Sequence, residues 1–290
     1  MDRRQRFFRD GRGHDYSGMN STARSPWSSG RHAIAAAMMA LELLAAAGPA
    51  RSADIPLDQR RSGYADLARD SKAMQDDDTV NPATLWVLDG EALWNQKASA
   101  ADRSCADCHG DATVSMKGVA ARYPAFSPAH NSPIDLEQRI NLCRTEHQQA
   151  APLPFESHDL LALTAYVGRQ SRGIAIAESK DERLKPFIER GRELFSRRQG
   201  QINLSCAQCH DDNWGRRIAG ALLPQGHPNG YPIYRLEWQG LGSLQRRLRN
   251  CLFGLRAELY ALGSNELVSL ELFLIQRARG MTIETPAVRP

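Results

Sequence analysis

The 290-residue sequence has no apolar run long enough to cross a membrane comfortably, and it carries little net charge. A membrane-spanning helix needs about 20 apolar residues, whereas the main apolar run, Ala33 to Ala47, covers about fifteen. The formal net charge of +4 is too weak and too evenly spread to favour nucleic acid as a partner. Hydrophobic residues (42%) and charged residues (24%) occur in the proportions of a soluble globular protein. The mature chain is therefore predicted to have no membrane span and no nucleic-acid partner.

The start of the chain differs in composition from the rest. Arg31 and His32 precede the apolar run, and small residues follow it from Gly48 to Ala53. A positively charged flank, a short apolar region and a small-residue end are typical of a secretory signal peptide. Residues 1–53 are therefore predicted to be a signal peptide with a long polar n-region, an uncleaved anchor being the alternative. A signal peptide predicts export, and we expect the mature protein in the periplasm.

The remainder of the chain contains an internal duplication. Two segments of the first half match segments 101 residues later, and three more match at 107 or 108 residues, so about seven residues are inserted in the second half. The matched pairs are Asp89–Trp94 with Arg190–Phe195, Cys105–His109 with Cys206–His210, Tyr123–Phe126 with Tyr231–Tyr234, Cys143 with Cys251, and His158–Leu163 with Asn265–Leu270. Apolar residues three or four apart predict helices in each half. The sequence therefore predicts two similar, mainly α domains, 54–177 and 178–290.

Each half contains one Cys-x-x-Cys-His sequence, the spacing used for covalent attachment of haem. Two thiols one helical turn apart bind the haem vinyl groups, and the following histidine ligates the iron. A zinc site is the alternative, but zinc needs four ligands, and the other cysteines are distant in the sequence. The chain is therefore predicted to be two tandem cytochrome c-like domains with two covalently bound haem c groups. The first would use Cys105, Cys108 and His109, and the second Cys206, Cys209 and His210.

The sequence has no methionine where electron-carrying cytochromes c place the second axial ligand of the iron. Met116 follows the first motif too closely, and Met281 lies near the C-terminus. The duplication instead places Cys143 and Cys251 at equivalent positions, which predicts that they are distal thiolate ligands. A disulfide between these two cysteines is the alternative, and it would be natural in an oxidising compartment. Other candidate ligands do not recur in the second half and are interpreted as surface or core histidines: His130, His147, His158 and His227.

These residues and motifs resemble the SoxA family, the haem-carrying subunits of the thiosulfate-oxidising SoxAX cytochromes. The resemblance covers about residues 60–283 and is most specific at 244–260, around Cys251. It implies an L-cysteine S-thiosulfotransferase that couples thiosulfate oxidatively to a cysteine of a sulfur carrier protein and passes the electrons to haem. It also implies that Cys251 is the catalytic residue, carried as a persulfide, and that Arg247 binds the substrate. The implied partners are a monohaem SoxX-like cytochrome, in a heterodimer, and a SoxYZ-like sulfur carrier.

The residues around Cys251 suit this chemistry. A thiolate ligand pushes electron density onto haem iron and lowers its reduction potential, which favours sulfur chemistry over simple electron carriage. Guanidinium groups match the oxygens of a sulfonate, and four arginines surround Cys251 in the sequence: Arg246, Arg247, Arg249 and Arg256. The alternative function is a non-catalytic dihaem electron-transfer cytochrome c. A dihaem peroxidase is disfavoured because it needs an open distal site on one haem and methionine or histidine on the other.

Overall fold

The computed structural model describes residues 55–98, 101–177, 179–218 and 220–290. The predicted signal peptide, residues 1–53, lies outside the described residues. Within these described ranges, no helix has both the length and the apolar character required to cross a bilayer.

Short helices and short hairpins make up both halves of the described chain. In the first half the helices are α1 (Arg69–Asp76), α2 (Thr84–Asn95), α3 (Cys105–His109), α4 (Ala112–Ser115), α5 (Leu136–His147) and α6 (His158–Arg169). In the second half they are α7 (Lys185–Ser196), α8 (Cys206–His210), α9 (Leu244–Gly254) and α10 (Asn265–Arg277). The strands are β1 (Ala125–Ser127), β2 (Ser132–Ile134), β3 (Arg217–Ile218), β4 (Ala221–Leu222), β5 (Ile233–Arg235), β6 (Gly240–Gly242) and β7 (Ala287–Arg289).

The predicted duplication is present in the structure, and the mainly α fold is confirmed. Helices α2 and α3 recur as α7 and α8 with the same boundaries 101 residues later. The antiparallel hairpin of β1 and β2 recurs 108 residues later as β5 and β6, and α5 and α6 recur as α9 and α10. Each repeat has a turn at a Tyr-Pro pair, Tyr123-Pro124 and Tyr231-Pro232, which we call the Tyr-Pro turns. The extra residues of the second half include the β3–β4 hairpin, which lies between the second attachment motif and the second Tyr-Pro turn.

Each half has its own hydrophobic core, built where its first long helix crosses its last. In the first half, Trp94 of α2 packs with Leu163 and Tyr166 of α6. In the second half, Phe195 of α7 packs with Phe273 of α10 in the equivalent cluster. Burial of such apolar side chains contributes about 25 cal/mol per Å² and is the main force that fixes this crossing.

The helix crossing in each half depends on one glycine. A Cβ on Gly90 of α2 would lie 2.1 Å from the carbonyl oxygen of Ala162, and a Cβ on Gly191 of α7 would lie 2.0 Å from that of Ser269. These distances are far below van der Waals contact, and the obstructing atoms belong to a helix backbone that cannot move alone. Both glycines are therefore needed so that the two helices can approach each other.

Replacing either Gly90 or Gly191 by alanine is expected to destabilise the protein by about 2 kcal/mol or more, because overpacking forces the helices apart. The measurement is denaturant unfolding of the haem-loaded protein. Gly254→Ala is the matched control, since nothing lies within 4 Å of its Cβ position, and it should have little effect or stabilise α9. Equal stability of all three variants would contradict the helix-crossing role.

The C-terminal residues join the two halves. Met281 is buried with Ala121 and Ile176 of the first half, in a cluster that also contains Ala278 and Ile283. Strand β7 then adds to β5 in parallel, so β5 is the central strand of a three-stranded sheet. The sheet places Arg235 and Arg289 opposite each other in register, beside the second attachment motif.

Candidate functional site

Each haem-attachment motif forms a short helix of its own, and the two helices begin with the same type of capping box. Ser205 accepts a hydrogen bond from the backbone N–H of Gln208 at 3.2 Å, and the Gln208 side chain accepts one from the backbone N–H of Ser205 at 3.0 Å. Ser104 and Asp107 form the same reciprocal pair in the first half. A capping box fixes where the helix begins, so the two cysteines of each motif lie three residues apart on one helical face.

The histidine of the second motif is held in a defined orientation. The Nδ1–H of His210 is positioned to donate to the carbonyl oxygen of Pro224 at 2.7 Å, so Nε2 is the ring nitrogen that can bind a metal or the thiol of Cys251. Gly226 lies against the same ring: a Cβ there would lie 3.1 Å from His210 Cγ and Nδ1. The ring of Phe195 is 6.5 Å from the imidazole. An imidazole held in this way through Nδ1 is typical of an iron-ligating histidine.

A cavity of about 510 Å³ opens beside His210. Such a volume is within the range of cofactor pockets, about 300–1,000 Å³. Cys206, His210 and Cys251 all line it, and much of its wall is apolar: Phe195, Leu248, Leu252, Leu255, Leu270 and Leu274. Thiol, imidazole and apolar wall together fit a covalently attached haem, with Cys206 and Cys209 able to hold it and His210 and Cys251 able to ligate its iron.

The first motif has a more open environment. Cys108 and His109 are exposed, whereas Cys209 and His210 are half-buried. The aromatic neighbour recurs, since the Trp94 ring lies 5.7 Å from His109. In the second half, the segment that follows the β3–β4 hairpin supplies the Pro224 carbonyl that accepts from His210.

Cys251 lies on α9, one turn after Arg247 and close to His210. Burial alone raises the pKa of the Cys251 thiol, but a hydrogen bond with His210 and the positive charges of Arg247 and Arg235 outweigh this effect. The net result is a Cys251 pKa below the ordinary value of a cysteine. A lowered pKa increases the thiolate fraction, which is the form that acts as nucleophile and as metal ligand.

Cys143 occupies the equivalent place on α5, but its environment has the opposite effect. Burial raises the pKa of the Cys143 thiol, and the positive charge of Arg139 does not compensate. Arg139, the counterpart of Arg247, donates instead to the hydroxyl of Tyr123 at 3.2 Å. The pKa values of the two cysteines are therefore shifted in opposite directions, although the sequence places the two residues alike.

Only one of the four arginines near Cys251 in the sequence lines the cavity. Arg247 does so, whereas Arg246 lies over the ring of Trp238 at 4.2 Å and 3.7 Å from Glu156, and Arg256 donates to Gln201 at 3.4 Å. Three further arginines that the sequence reasoning missed line the cavity from other elements: Arg217, Arg235 and Arg289. Arg235 directly follows the repeated segment Tyr231–Tyr234, and this position is the one feature of the sequence that could have indicated it.

The alternatives for Cys143 and Cys251 can be compared with the structure. All six cysteines are free, so Cys143 and Cys251 are not joined by a disulfide. Met116 packs against the first hydrophobic core, and Met281 is buried between the halves. Of the four histidines considered as alternative ligands, three are exposed, at positions 130, 147 and 158. His227 instead lines the cavity, where burial lowers its pKa to about 3 and Nε2 lies 3.1 Å from Gln225.

The fold and the two attachment motifs define a c-type cytochrome with two tandem domains. The model of the family described as SoxA/TsdA, cytochrome c domain, matches residues 89–176 and 190–283, and the chain belongs to this family. The resemblance predicted from the sequence is thereby confirmed.

Individual relatives agree with this assignment. The chain is 39% identical over 235 residues to the L-cysteine S-thiosulfotransferase subunit SoxA of Pseudaminobacter salicylatoxidans, covering 81% of this chain and 82% of the relative. It is 33% identical over 243 residues to the protein of the same name from Paracoccus pantotrophus, covering 84% and 83%. The crystal structure of SoxXA from P. pantotrophus is similar with a TM-score of 0.77 and 32% identity, covering 80% of this chain and 87% of that chain.

Proposed function

We propose that this protein is a haem-dependent L-cysteine S-thiosulfotransferase, which couples thiosulfate oxidatively to a cysteine of a sulfur carrier protein. The observation that carries the proposal is one cavity lined by Cys251, Arg247 and His210. A nucleophile, a cationic anchor and an iron ligand within one cavity are the groups that this reaction needs. The names of the relatives support the same activity.

In this proposal Arg247 binds the substrate. Thiosulfate is a small dianion whose three sulfonate oxygens suit the planar donor fork of a guanidinium. Burial lowers the pKa of Arg247, but the negative charge of the nearby Cys251 thiolate raises it, and the net shift is upward. The guanidinium of Arg247 and the thiolate of Cys251 therefore stabilise each other. Arg235 adds a second positive charge near the same thiol. The cavity therefore favours an anion beside the sulfur of Cys251.

Cys251 then forms the new sulfur–sulfur bond. Its thiolate and the outer sulfur of thiosulfate join as a cysteine S-thiosulfonate, and this step releases two electrons: RS⁻ and S₂O₃²⁻ give RS–SSO₃⁻ and two electrons. The haem groups, when bound, supply the electron acceptors. The sulfur group afterwards passes to the carrier cysteine, which restores Cys251. A persulfide on Cys251 would relay the group in the same way.

We further propose two covalent haems, one in each domain, with domain boundaries at 54–177 and 178–290 after a signal peptide at 1–53. Cys105, Cys108 and His109 would hold the first haem, with Cys143 as distal ligand. The inference for the second haem is strongest, because the buried cavity, the oriented His210 and the thiol of Cys251 occur together there.

The proposed partners are a SoxX-like monohaem cytochrome and a SoxYZ-like carrier. Similarity to the SoxXA structure supports the first. In this proposal the two proteins form a heterodimer, and the monohaem cytochrome takes the electrons onward. The proposed location is the periplasm, supported by the predicted signal peptide and by the c-type haem.

An intact mass of the protein purified from an oxidising periplasm, with peptide mapping around Cys251, tests this function. We expect two haems per chain and, after incubation with thiosulfate, a sulfur-containing adduct on the peptide of Cys251 and not on that of Cys143. The reason is the lowered pKa of the Cys251 thiol and the arginines that line its cavity. Two haems with no adduct on Cys251 under any redox condition would instead indicate an electron-transfer cytochrome.

A further inference from the structure

A second, smaller cavity of about 80 Å³ lies where the two halves meet. Equivalent positions from the two repeats line it in pairs: Tyr123 with Tyr231, Asp135 with Ser243, Leu136 with Leu244, Glu137 with Gln245, and Thr164 with Glu271. One water molecule needs about 10–15 Å³ of such space, so the cavity has room for several. Three of these pairs combine one acidic with one neutral polar residue, so three carboxyl groups from the two repeats line one cavity.

Two of the three carboxyl groups are linked by Gln245. The Nε2 of Gln245 donates to Asp135 Oδ2 at 2.6 Å and to Glu271 Oε2 at 3.3 Å. The Oε1 of Gln245 accepts from the backbone N–H of Gly263 at 2.7 Å, which fixes the orientation of the amide. Asp135 also accepts from the backbone N–H of Gln138 as the N-cap of α5. Gln245 therefore holds the carboxyl groups of α5 and α10 close together.

Glu137 is the third carboxyl group, and its position is the unusual one. It is 7% exposed and lines the cavity. Among the residues that the structure describes, none donates a hydrogen bond to its side chain. A buried ionised carboxylate without a partner is unfavourable by several kcal/mol, so this group needs either a proton or water molecules in the cavity.

The charges around the cavity do not neutralise the acidic groups. Burial, followed by the charges of Asp135, Glu156 and Glu271, raises the pKa of Glu137 well above its ordinary value. Burial and Asp135 raise the pKa of Glu271 to about 8, and burial raises that of Asp135 to about 6. The titratable groups that line the cavity are Tyr123, Asp135, Glu137, Tyr231 and Glu271, and Glu156 acts on Glu137 from outside it. The nearby cations reach the cluster through other residues, since Arg139 donates to Tyr123 and Arg246 lies 3.7 Å from Glu156.

The small cavity is adjacent to the cavity that contains Cys251. Pro228, Tyr231 and Leu244 line both of them. Burial raises the pKa of Tyr231 to about 12, so its hydroxyl keeps its proton at neutral pH. A protonated phenol that lies between the cavities can pass on a hydrogen bond without itself ionising.

We propose that the cavity lined by Asp135, Glu137 and Glu271 is a proton-binding site that takes up a proton when the neighbouring haem site is reduced. One electron that arrives at the haem site adds one negative charge, and one carboxylate oxygen then gains a proton from water and becomes a carboxylic acid. Reoxidation releases the same proton. The electron comes from the sulfur couple in turnover, or from any chemical reductant. The inference rests on the proposed haem at the second motif, but not on sulfur transfer.

The test is a redox titration of the haem-loaded protein without thiosulfate, repeated over the pH range that brackets the carboxyl pKa values. Cys143→Met assigns the two redox transitions, because it changes a proposed ligand of the first haem only. The transition whose midpoint potential stays the same in this variant belongs to the second haem. Its midpoint potential is expected to become more negative as the pH rises, because proton uptake favours reduction. The slope should fall at least about two-fold in Glu271→Gln and in Glu137→Gln, and it should be unchanged in the exposed control Glu258→Gln.

An infrared difference spectrum between reduced and oxidised protein gives a second measurement, one that locates the proton. We expect a carboxylic acid carbonyl band that changes with reduction, shifts in heavy water and is lost in Glu271→Gln. A pH-independent potential in the unmodified protein would overturn the proposal, as would a slope in both glutamine variants equal to that of the unmodified protein. Sulfur transfer can fail in a separate assay without affecting these results, so the two hypotheses are tested apart.

Discussion

Replacing Cys251 by serine is expected to reduce sulfur transfer by about 10³-fold or more, the size of effect seen when a nucleophile is removed. A hydroxyl cannot form the sulfur–sulfur bond, and its proton is far more tightly held than that of a thiol whose pKa is already lowered. Both haems should remain attached, because the attachment cysteines are unchanged. The measurement is the rate of carrier modification with thiosulfate, together with the haem content by mass.

Cys143→Ser is the matched control, since Cys143 occupies the equivalent position of the first repeat. It should alter the spectrum of the first haem but retain transfer within about tenfold, because the effect on the chemistry is indirect. The opposite pKa shifts of the two thiols predict this asymmetry. If Cys251→Ser transferred sulfur at the normal rate, Cys251 would not be the nucleophile, and its role would be limited to the haem site.

Replacing Arg247 by glutamine is expected to lower kcat/KM for thiosulfate by about 100-fold, since hydrogen bonds to charged groups contribute about 1.5–3 kcal/mol each. The same change should raise the pKa of Cys251, because one of the cations that stabilises its thiolate is lost. The rate of transfer would therefore reach its plateau at a higher pH than in the unmodified protein. Arg247→Lys should lie between the two, because it keeps the charge but loses the planar donor fork.

Arg249→Gln is the control for the loss of one positive charge on α9, since Arg249 is not among the residues that line the cavity. It should change kcat/KM less than about threefold, as expected for a partly exposed charge. A comparable loss in both variants would show that the overall charge of α9 matters and that Arg247 has no special position. An unshifted pH profile in Arg247→Gln would separate substrate binding from the effect on the thiol.

Much of the fold could be predicted because the duplication is visible as matched local patterns. The attachment motifs, the Tyr-Pro turns and the helix periodicity depend on residues close together in the chain. Haem attachment in particular is a local requirement, since two thiols and a histidine within one helical turn are sufficient to define it. For this reason the mainly α fold, the tandem c-type domains and the SoxA resemblance were all confirmed.

The residues that line the large cavity could not be predicted in the same way. Proximity to Cys251 in the sequence favoured Arg246 and Arg256, but Arg246 on α9 lies near Glu156, and Arg256, which follows α9, donates to Gln201. Arg217 comes instead from the inserted hairpin, and Arg289 comes from a strand that adds to the sheet after the last helix. Such residues meet only because distant segments pack together.

The sequence by itself determined the two haem motifs, the repeat that contains them and the pair of cysteines at equivalent positions. Only the tertiary structure decided which cysteine has the lowered pKa, because that depends on His210, Arg247 and Arg235 converging from three elements. It also decided that Glu137 and Glu271 share one buried cavity, since each belongs to a different repeat. The physical reason is the same in both cases: charge and burial act through space, whereas a motif records only separation along the chain.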